Sequence, residues 1–309
     1  MTFWSISNQT LQNWECLVIV DNHQMNRELI LPKPAFTDPR FRIEINAGVG
    51  LASALNTGIN RARSRYIARI DADDVMFPSR LHDQLLFLDS NPEVKVVGGQ
   101  AVLIDARNTA MARQPIFPSD KLTIRKTLPR RNIIAHPAVT MCRETILSIN
   151  GYREIFKGSE DFDLWLRVLN VGEIANLPSA TIGLRKHEHN VSNNVNLTGL
   201  YSDLAQVCAL STSLGTGSTP TTFKDSHDGI KAAIRSMWRL IPINKRIRYY
   251  AFWFPASFKM KLSLNPIIMM FLSILNRFRP KPNQRTWECS WIALNLAWES
   301  DKHLWNLKR

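Results

Sequence analysis

The residues of this chain best able to do chemistry form two short acidic runs set far apart. Asp71-Ala-Asp73-Asp74 places three carboxylates in one turn, directly after an apolar stretch. Carboxylates so close together repel one another, and a divalent cation relieves that repulsion. Oxygen-only ligands in a short loop suit Mg²⁺ or Mn²⁺, which keep several waters and share their shell with substrate phosphates. A solvated acidic turn, or the N-cap of a helix opened by Pro78, would use the same residues. Glu160-Asp161-Phe162-Asp163 opens an apolar helical stretch. The helix dipole stabilises carboxylates in a first turn, so this run has a structural explanation beside a catalytic one. His136, just before Pro137, has the placement of a packed histidine. His187 stands in Leu184-Arg-Lys-His-Glu-His-Asn190, where it could touch a diphosphate or line a surface loop.

Strands and helices alternate around these residues. Cys16-Leu-Val-Ile-Val20 is continuously apolar, as in a strand buried on both faces, and it stops at Asp21. Phe41 to Ile45 alternates apolar and polar residues. Leu51, Leu55, Ile59 and Ala62 recur at helical spacing and predict a helix over 51–63. Tyr66 to Ile70 reads as a strand that also ends on an aspartate, Asp71. Pro78 suits a first helical turn, with Leu81, Leu85 and Leu88 on the buried face. Residues 94–97, 101–104 and 138–142 read as further strands, and 160–169 as a helix. The pattern predicts an α/β class with a mostly parallel sheet flanked by helices. In such sheets ligands sit beyond the carboxyl ends of the strands, where Asp21 and Asp71 lie.

Composition narrows the class further. At 309 residues, 45% hydrophobic and 21% charged, the chain is neither disordered nor fibrous. Its four cysteines include no C-x-x-C pair, which excludes a disulfide scaffold and a cysteine zinc module and fits a reducing compartment. The start lacks the basic-then-apolar layout of a signal peptide. The longest apolar stretch, Pro266 to Leu275, is about half of the roughly 20 residues that a membrane span needs. The net charge of +13 is lopsided, +3 over residues 1–199 and +10 over 200–309. Between 190 and 228 the pattern dissolves into Ser, Thr, Asn and Gly, a linker composition. The expected organisation is a catalytic domain over 1–195, a linker over 196–228 and a basic, mainly helical region over 229–309.

That last region interleaves cations with aromatics, as in Lys245-Arg-Ile-Arg-Tyr-Tyr-Ala-Phe-Trp-Phe254. Such residues suit the headgroup layer of an anionic membrane surface. A helical tail packing its aromatics on the first domain would use them equally well. Single-stranded nucleic acid is a weaker match, because no RNA-binding motif accompanies them.

The order of these motifs resembles the family 2 glycosyltransferases, inverting enzymes with the A-type (GT-A) nucleotide-sugar fold, a Rossmann-like architecture. The matching segments are Val18-Ile-Val-Asp21, Asn46-x-Gly-x-Gly-Leu-Ala52, Tyr66-Ile-Ala-Arg-Ile-Asp-Ala-Asp-Asp74, Pro78-x-Arg80, His136-Pro137, Gly151-Tyr152, Glu160-Asp-Phe-Asp-Leu-Trp-Leu-Arg167 and Arg185-x-His187. The resemblance covers roughly residues 4–192. It implies that Asp21 contacts the nucleotide base, and that Asp71 and Asp73 hold the metal and the diphosphate, with Asp74 nearby. It implies Asp161 as general base and Glu160 as the residue orienting that base or the acceptor. Arg185 and His187 would lie in a loop closing over the diphosphate. The implied partners are a nucleotide-sugar donor, with UDP-sugar the expected type, and a glycan or lipid-linked acceptor. The implied location is the cytoplasmic face of the plasma membrane.

Three features depart from the family pattern. Family members begin with an apolar strand and a turn containing Pro, Tyr or Phe, and Asn, whereas this sequence opens at the helix that follows. Asp21 is followed by Asn22-His-Gln24 where Asp-Gly-Ser is usual, and Arg63-Ser64 stands where a Gly is usual. The second expectation is therefore a truncated, inactive family member acting as a membrane-surface or scaffold protein.

Overall fold

A computed structural model describes residues 1–21, 37–111, 116–186, 195–213, 220, 222 and 225–240. His187 and residues 241–309, with most of the basic aromatic region, lie outside them. The chain opens with a short helix, α1 (Thr2–Ser7), and reaches β1 (Cys16–Val20) and β2 (Phe41–Ile45). Next come α2 (Leu51–Arg61), β3 (Tyr66–Ala68), β4 (Val75–Met76), α3 (Arg80–Ser90) and the long β5 (Val94–Ile104). After α4 (Lys121–Thr127), a 3-10 turn at Leu128–Arg130 and a second at His136–Ala138 lead into β6 (Thr140–Cys142) and α5 (Arg143–Ser148). The described part closes with α6 (Glu160–Val168), β7 (Glu173–Arg185), α7 (Val195–Ser213) and α8 (His227–Leu240).

These strands make two sheets. One is the parallel pair β1–β2, and the other has five strands in the order β3-β6-β5-β7-β4. The two long pairings, β1–β2 and β5–β7, are parallel, and the short pairings of β3 and β5 with β6 and of β4 with β7 are antiparallel. The sheet system is therefore mixed, and the α/β class read from the sequence holds. Residues 94–97 and 101–104, expected as two strands, are one strand that runs through Gly98 and Gly99.

The main core lies on one side of the five-stranded sheet. Val96, Met141 and Ile174 meet Phe162, Trp165 and Val168 of α6 there, and α7 and α8 add Tyr201, Leu204, Cys208, Ile230 and Ile234. This corrects the linker expected over 196–228, whose first half is helix packed on the core. Thr198, Gly199, Ser202 and Thr212 occupy partly or fully exposed positions of α7, while Ser211 is buried with its apolar face. Its buried residues Tyr201, Leu204, Ala205 and Cys208 keep helical spacing and remove apolar surface from water, each large one contributing roughly 1.5–3 kcal/mol. The boundary expected at 229 moves for the same reason. Ile230, Ala233, Ile234 and Met237 of α8 are buried in the same cluster, so the first turns of the basic region belong to the domain.

A second cluster joins the two sheets through side chains. Ile6 and Phe3 of α1 pack with Phe41, Ile43, Cys16 and Val18 of the parallel pair, and with Ala68, Ile70, Met76 and Leu81 from the five-stranded side. α1 is also tied to the turn after β3, with the Thr2 hydroxyl donating to the carbonyls of Ala72 at 2.8 Å and Asp74 at 2.7 Å.

Candidate active site

The acidic groups lie just past strand ends and at a helix start. Asp21 follows β1 and is fixed from across the sheet: Asn46 Nδ2 donates to its Oδ1 at 2.6 Å and the Gly50 amide to its Oδ2 at 3.0 Å. Gly50 sits at φ +88°, a backbone that side chains rarely adopt, and this turns its N–H onto the carboxylate. Asn46 is itself held, its Oδ1 accepting from the Gly48 amide and from the hydroxyls of Ser53 and Thr57.

Asp71 lies just past β3. The Arg69 guanidinium grips it with two hydrogen bonds, one of 2.8 Å to Oδ2 and one to Oδ1. Burial raises the Asp71 carboxyl, and the Arg69 charge opposes the rise. Asp74 is nearly inaccessible. Its Oδ1 accepts from the Arg185 amide at 2.9 Å, while its Oδ2 is buried without a hydrogen-bond partner among the described residues. Burial pushes this carboxyl up to about 7; the Arg185 amide pulls it down, and the charges of Asp71 and Asp73 add to the rise. Arg185 braces the turn, its Nε donating to the Asp73 carbonyl at 2.9 Å and its other nitrogens to the Asp105 carbonyl and Asn108 Oδ1, both at 2.6 Å. Among the described residues no three His, Cys, Asp or Glu side chains converge to hold a metal ion. The oxygen-only donors at Asp71 and Asp73, with the unpartnered Asp74 Oδ2 beside them, fit a hard cation that takes one or two carboxylates and completes its shell from phosphate and water.

The second acidic run splits by role. Asp163 is almost wholly buried and is locked between two arginines. Arg153 donates to both of its oxygens, and Arg167 approaches Oδ2 at 2.8 Å while also donating to the carbonyls of Ile149 and Gly151. That network ties α6 to the Gly151-Tyr152 turn. Gly151 has φ +57°, and a Cβ there would lie 2.4 Å from Asn56 Oδ1. The close approach lets Asn56 bond the Tyr152 amide and carbonyl, each at 2.8 Å. Asp161, half-buried on the next face of the helix, accepts from the Phe162 amide on Oδ1 and from Asn132 Nδ2 on Oδ2, both at 2.7 Å. Burial raises its carboxyl, with Asn132, the Phe162 amide and Arg69 pulling the other way. Burial likewise raises Glu160 beside it.

Sequence reasoning missed Arg69 and Asn132. Arg69 is buried, and its charge bears on Asp71, Glu160, Asp161, His136 and Tyr152. Its charge therefore reaches both acidic runs. The available signal was a cation inside an apolar strand, directly before the aspartates. Asn132 carries no periodic or compositional signal. His136 packs as expected: burial drives it well below its ordinary pKa, its Nε2 lies 2.8 Å from the Tyr152 hydroxyl, and its ring meets the edge of Trp165.

With this geometry in view, residues 1–148 match the description Glycosyl transferase family 2. The match spans just under half of the chain, and over that part the chain is similar to the family. That similarity supports a transferase. It is 35% identical over 168 residues to the O-antigen biosynthesis glycosyltransferase WbnJ of Escherichia coli, covering 54% of this chain and 64% of WbnJ. The chain therefore spans just under two thirds of that relative. Among solved structures, S. aureus TarS 1-349 in complex with UDP superposes with a TM-score of 0.54 at 14% identity, covering 89% of this chain and 82% of TarS 1-349. The mannosyltransferase PcManGT of Pyrobaculum calidifontis, in complex with GDP-Man and Mn²⁺, gives 0.50 at 16% identity, covering 99% of this chain and 83% of PcManGT. At these identities the two structures establish the A-type glycosyltransferase fold.

Proposed function

We propose that this chain is a metal-dependent inverting transferase that moves a sugar from a nucleotide-sugar donor, of UDP type, to a cell-surface glycan or lipid-linked acceptor. The observation that carries the reading is the placement of Asp161: a half-buried carboxylate at a helix start, held by an amide side chain, within reach of the charge of Arg69, which grips Asp71. The UDP on TarS and the GDP-Man and Mn²⁺ on PcManGT support a nucleotide-sugar donor and a divalent cation, and the O-antigen role in the name of WbnJ supports a surface glycan as product.

In this reading Asp21 meets the nucleotide base at the end of β1. Asp71 and Asp73 would hold Mg²⁺ or Mn²⁺ with the diphosphate, and such a cation would supply neutralising charge for the departing diphosphate. Asp161 accepts the proton of an acceptor hydroxyl while that oxygen attacks the anomeric carbon. The bond from that carbon to the diphosphate breaks on the opposite face, so the configuration inverts. Glu160 orients the acceptor beside it. Arg185 acts by bracing the Asp73-Asp74 turn, and His187, outside the described residues, is assigned to the loop over the diphosphate. Only ionised Asp161 can accept the proton, so turnover falls as pH drops through its raised pKa. No helix among the described residues is long and apolar enough to cross a membrane. The proposed place of action is the inner membrane surface, reached through the basic region beyond residue 240.

Calorimetric titration with UDP, with and without Mn²⁺, tests the donor site. The expected result is Mn²⁺-dependent binding in the micromolar range, about 8 kcal/mol, that Asp73→Asn removes. A folded chain that binds neither UDP nor GDP in the presence of Mn²⁺ overturns the reading.

A further inference from the structure

We infer that Asn132 is a positioning residue for the proton-accepting carboxylate, fixing which Asp161 oxygen faces the acceptor and keeping that carboxylate ionised. The inference rests on the general-base reading of Asp161 given above. Its ground is a two-ended grip. Asn132 follows the 3-10 turn at Leu128–Arg130. Its Oδ1 accepts from the Ile134 amide at 3.2 Å, and its Nδ2 donates to Asp161 Oδ2 at 2.7 Å. The first bond settles the amide's orientation: a flipped side chain would set its NH₂ against the Ile134 N–H and its oxygen against a carboxylate. With Oδ2 held by Asn132 and Oδ1 by the Phe162 amide, Asp161 is oriented from both sides.

The surroundings give that grip an electrostatic role. Arg69 is the cation that acts on Asp161, and it spends its hydrogen bonds on Asp71. Glu160 lies next along the helix and disfavours a second negative charge. The Tyr152 hydroxyl engages His136, which burial keeps neutral. α7 presents the Ser202 hydroxyl and the Thr198 carbonyl to Ser159, at the start of the same helix. Among the described residues Asn132 is therefore the side chain that donates directly to Asp161, and it does so from an exposed position.

Two variants separate this role from a merely structural one. Asn132→Asp keeps the acceptor for the Ile134 amide and so keeps the turn, but sets a second carboxylate against Asp161. Asn132→Ala removes both bonds. The first readout is the titration of Asp161 itself, followed by carbon NMR on aspartate-labelled protein, with the resonance assigned by its loss in Asp161→Asn. The second is the pH dependence of kcat. Loss of one charge-assisted hydrogen bond moves a carboxyl by about one pH unit, and a like charge at contact moves it by more. The expected result is an Asp161 titration, and an acidic limb of kcat, displaced to higher pH by about one unit in Asn132→Ala and by roughly two or more in Asn132→Asp. KM for the donor stays within about twofold, since uniform donor binding is untouched, and the melting temperature of Asn132→Asp stays near wild type at pH 7.

An Asp161 titration that stays fixed in both variants overturns the proposal, as does an Asn132→Asp enzyme with the wild-type pH profile. A shifted titration in a chain that transfers no sugar would retire the transferase reading while leaving the grip on Asp161 established.

Discussion

The two acidic runs look alike as sequence, three carboxylates in four residues each, and the structure treats them in opposite ways. In Asp71-Ala-Asp73-Asp74 a cation grips the first member, and the last is buried with one oxygen unpartnered among the described residues. In Glu160-Asp161-Phe162-Asp163 two cations are spent on Asp163, and Asp161 is left to an amide. Within the second run, the proposed reading makes Asp163, held by two arginines, the structural carboxylate and Asp161, held by an amide, the reactive one. A carboxylate clamped by two guanidiniums has its lone pairs committed and cannot accept a proton readily, whereas one held by amides keeps lone pairs for an incoming hydroxyl.

The sharpest way to break this comparison is to neutralise Asp161. Asp161→Asn should lower transfer by about 10²–10⁴-fold while nucleotide binding, measured by calorimetry, stays intact. Transfer at the wild-type rate would end the assignment. The counterpart on the structural side is Asp163→Asn. It leaves Arg153 and Arg167 without their buried anion, and denaturant unfolding should show a loss of roughly 3–5 kcal/mol. A stability loss below 1 kcal/mol, with transfer abolished, would reverse the roles assigned to Asp161 and Asp163. The smallest effect concerns a third acid that burial alone perturbs. Asp203 of α7 has its carboxyl pushed up to about 7 by burial. The folded state then holds a proton that the unfolded chain releases near its ordinary value of 3.8, so stability declines as pH rises from about 4 to 7. Asp203→Asn should therefore stabilise the protein by roughly 1–3 kcal/mol at pH 8 and leave it unchanged at pH 4, as melting curves at the two values would show.

Much of this arrangement was legible before any coordinates. Two apolar strands ending on Asp21 and Asp71, and a helix starting at Glu160, already place three acidic positions where ligands of an α/β sheet bind. What was not legible depends on partners distant in sequence. The one local difference is Arg167, one helical turn beyond Asp163; the rest is made by Arg153, ten residues back, and by Asn132. Asn132 sits in an unpatterned loop and gains its role only when the turn at Leu128–Arg130 is folded against α6. The linker reading failed for another reason. Thr198, Gly199, Ser202 and Ser211 dilute the composition of α7, while Tyr201, Leu204, Ala205 and Cys208 carry a helical period that a composition count averages away.

The join between the two sheets has its own consequence. Asp21 rides on the β1–β2 pair, and Asp71, Asp73 and Asp74 ride on the five-stranded sheet. Among the described residues no strand ladder crosses between the sheets; the apolar cluster around Ile6, Phe41, Met76 and Leu81 does the joining. A seam of side chains resists sliding far less than a row of backbone hydrogen bonds, because apolar contact is non-directional. A nucleotide that reached from Asp21 to the Asp71 turn would span that seam and act as a cross-brace, adding directional bonds to those that α1 makes to the turn after β3.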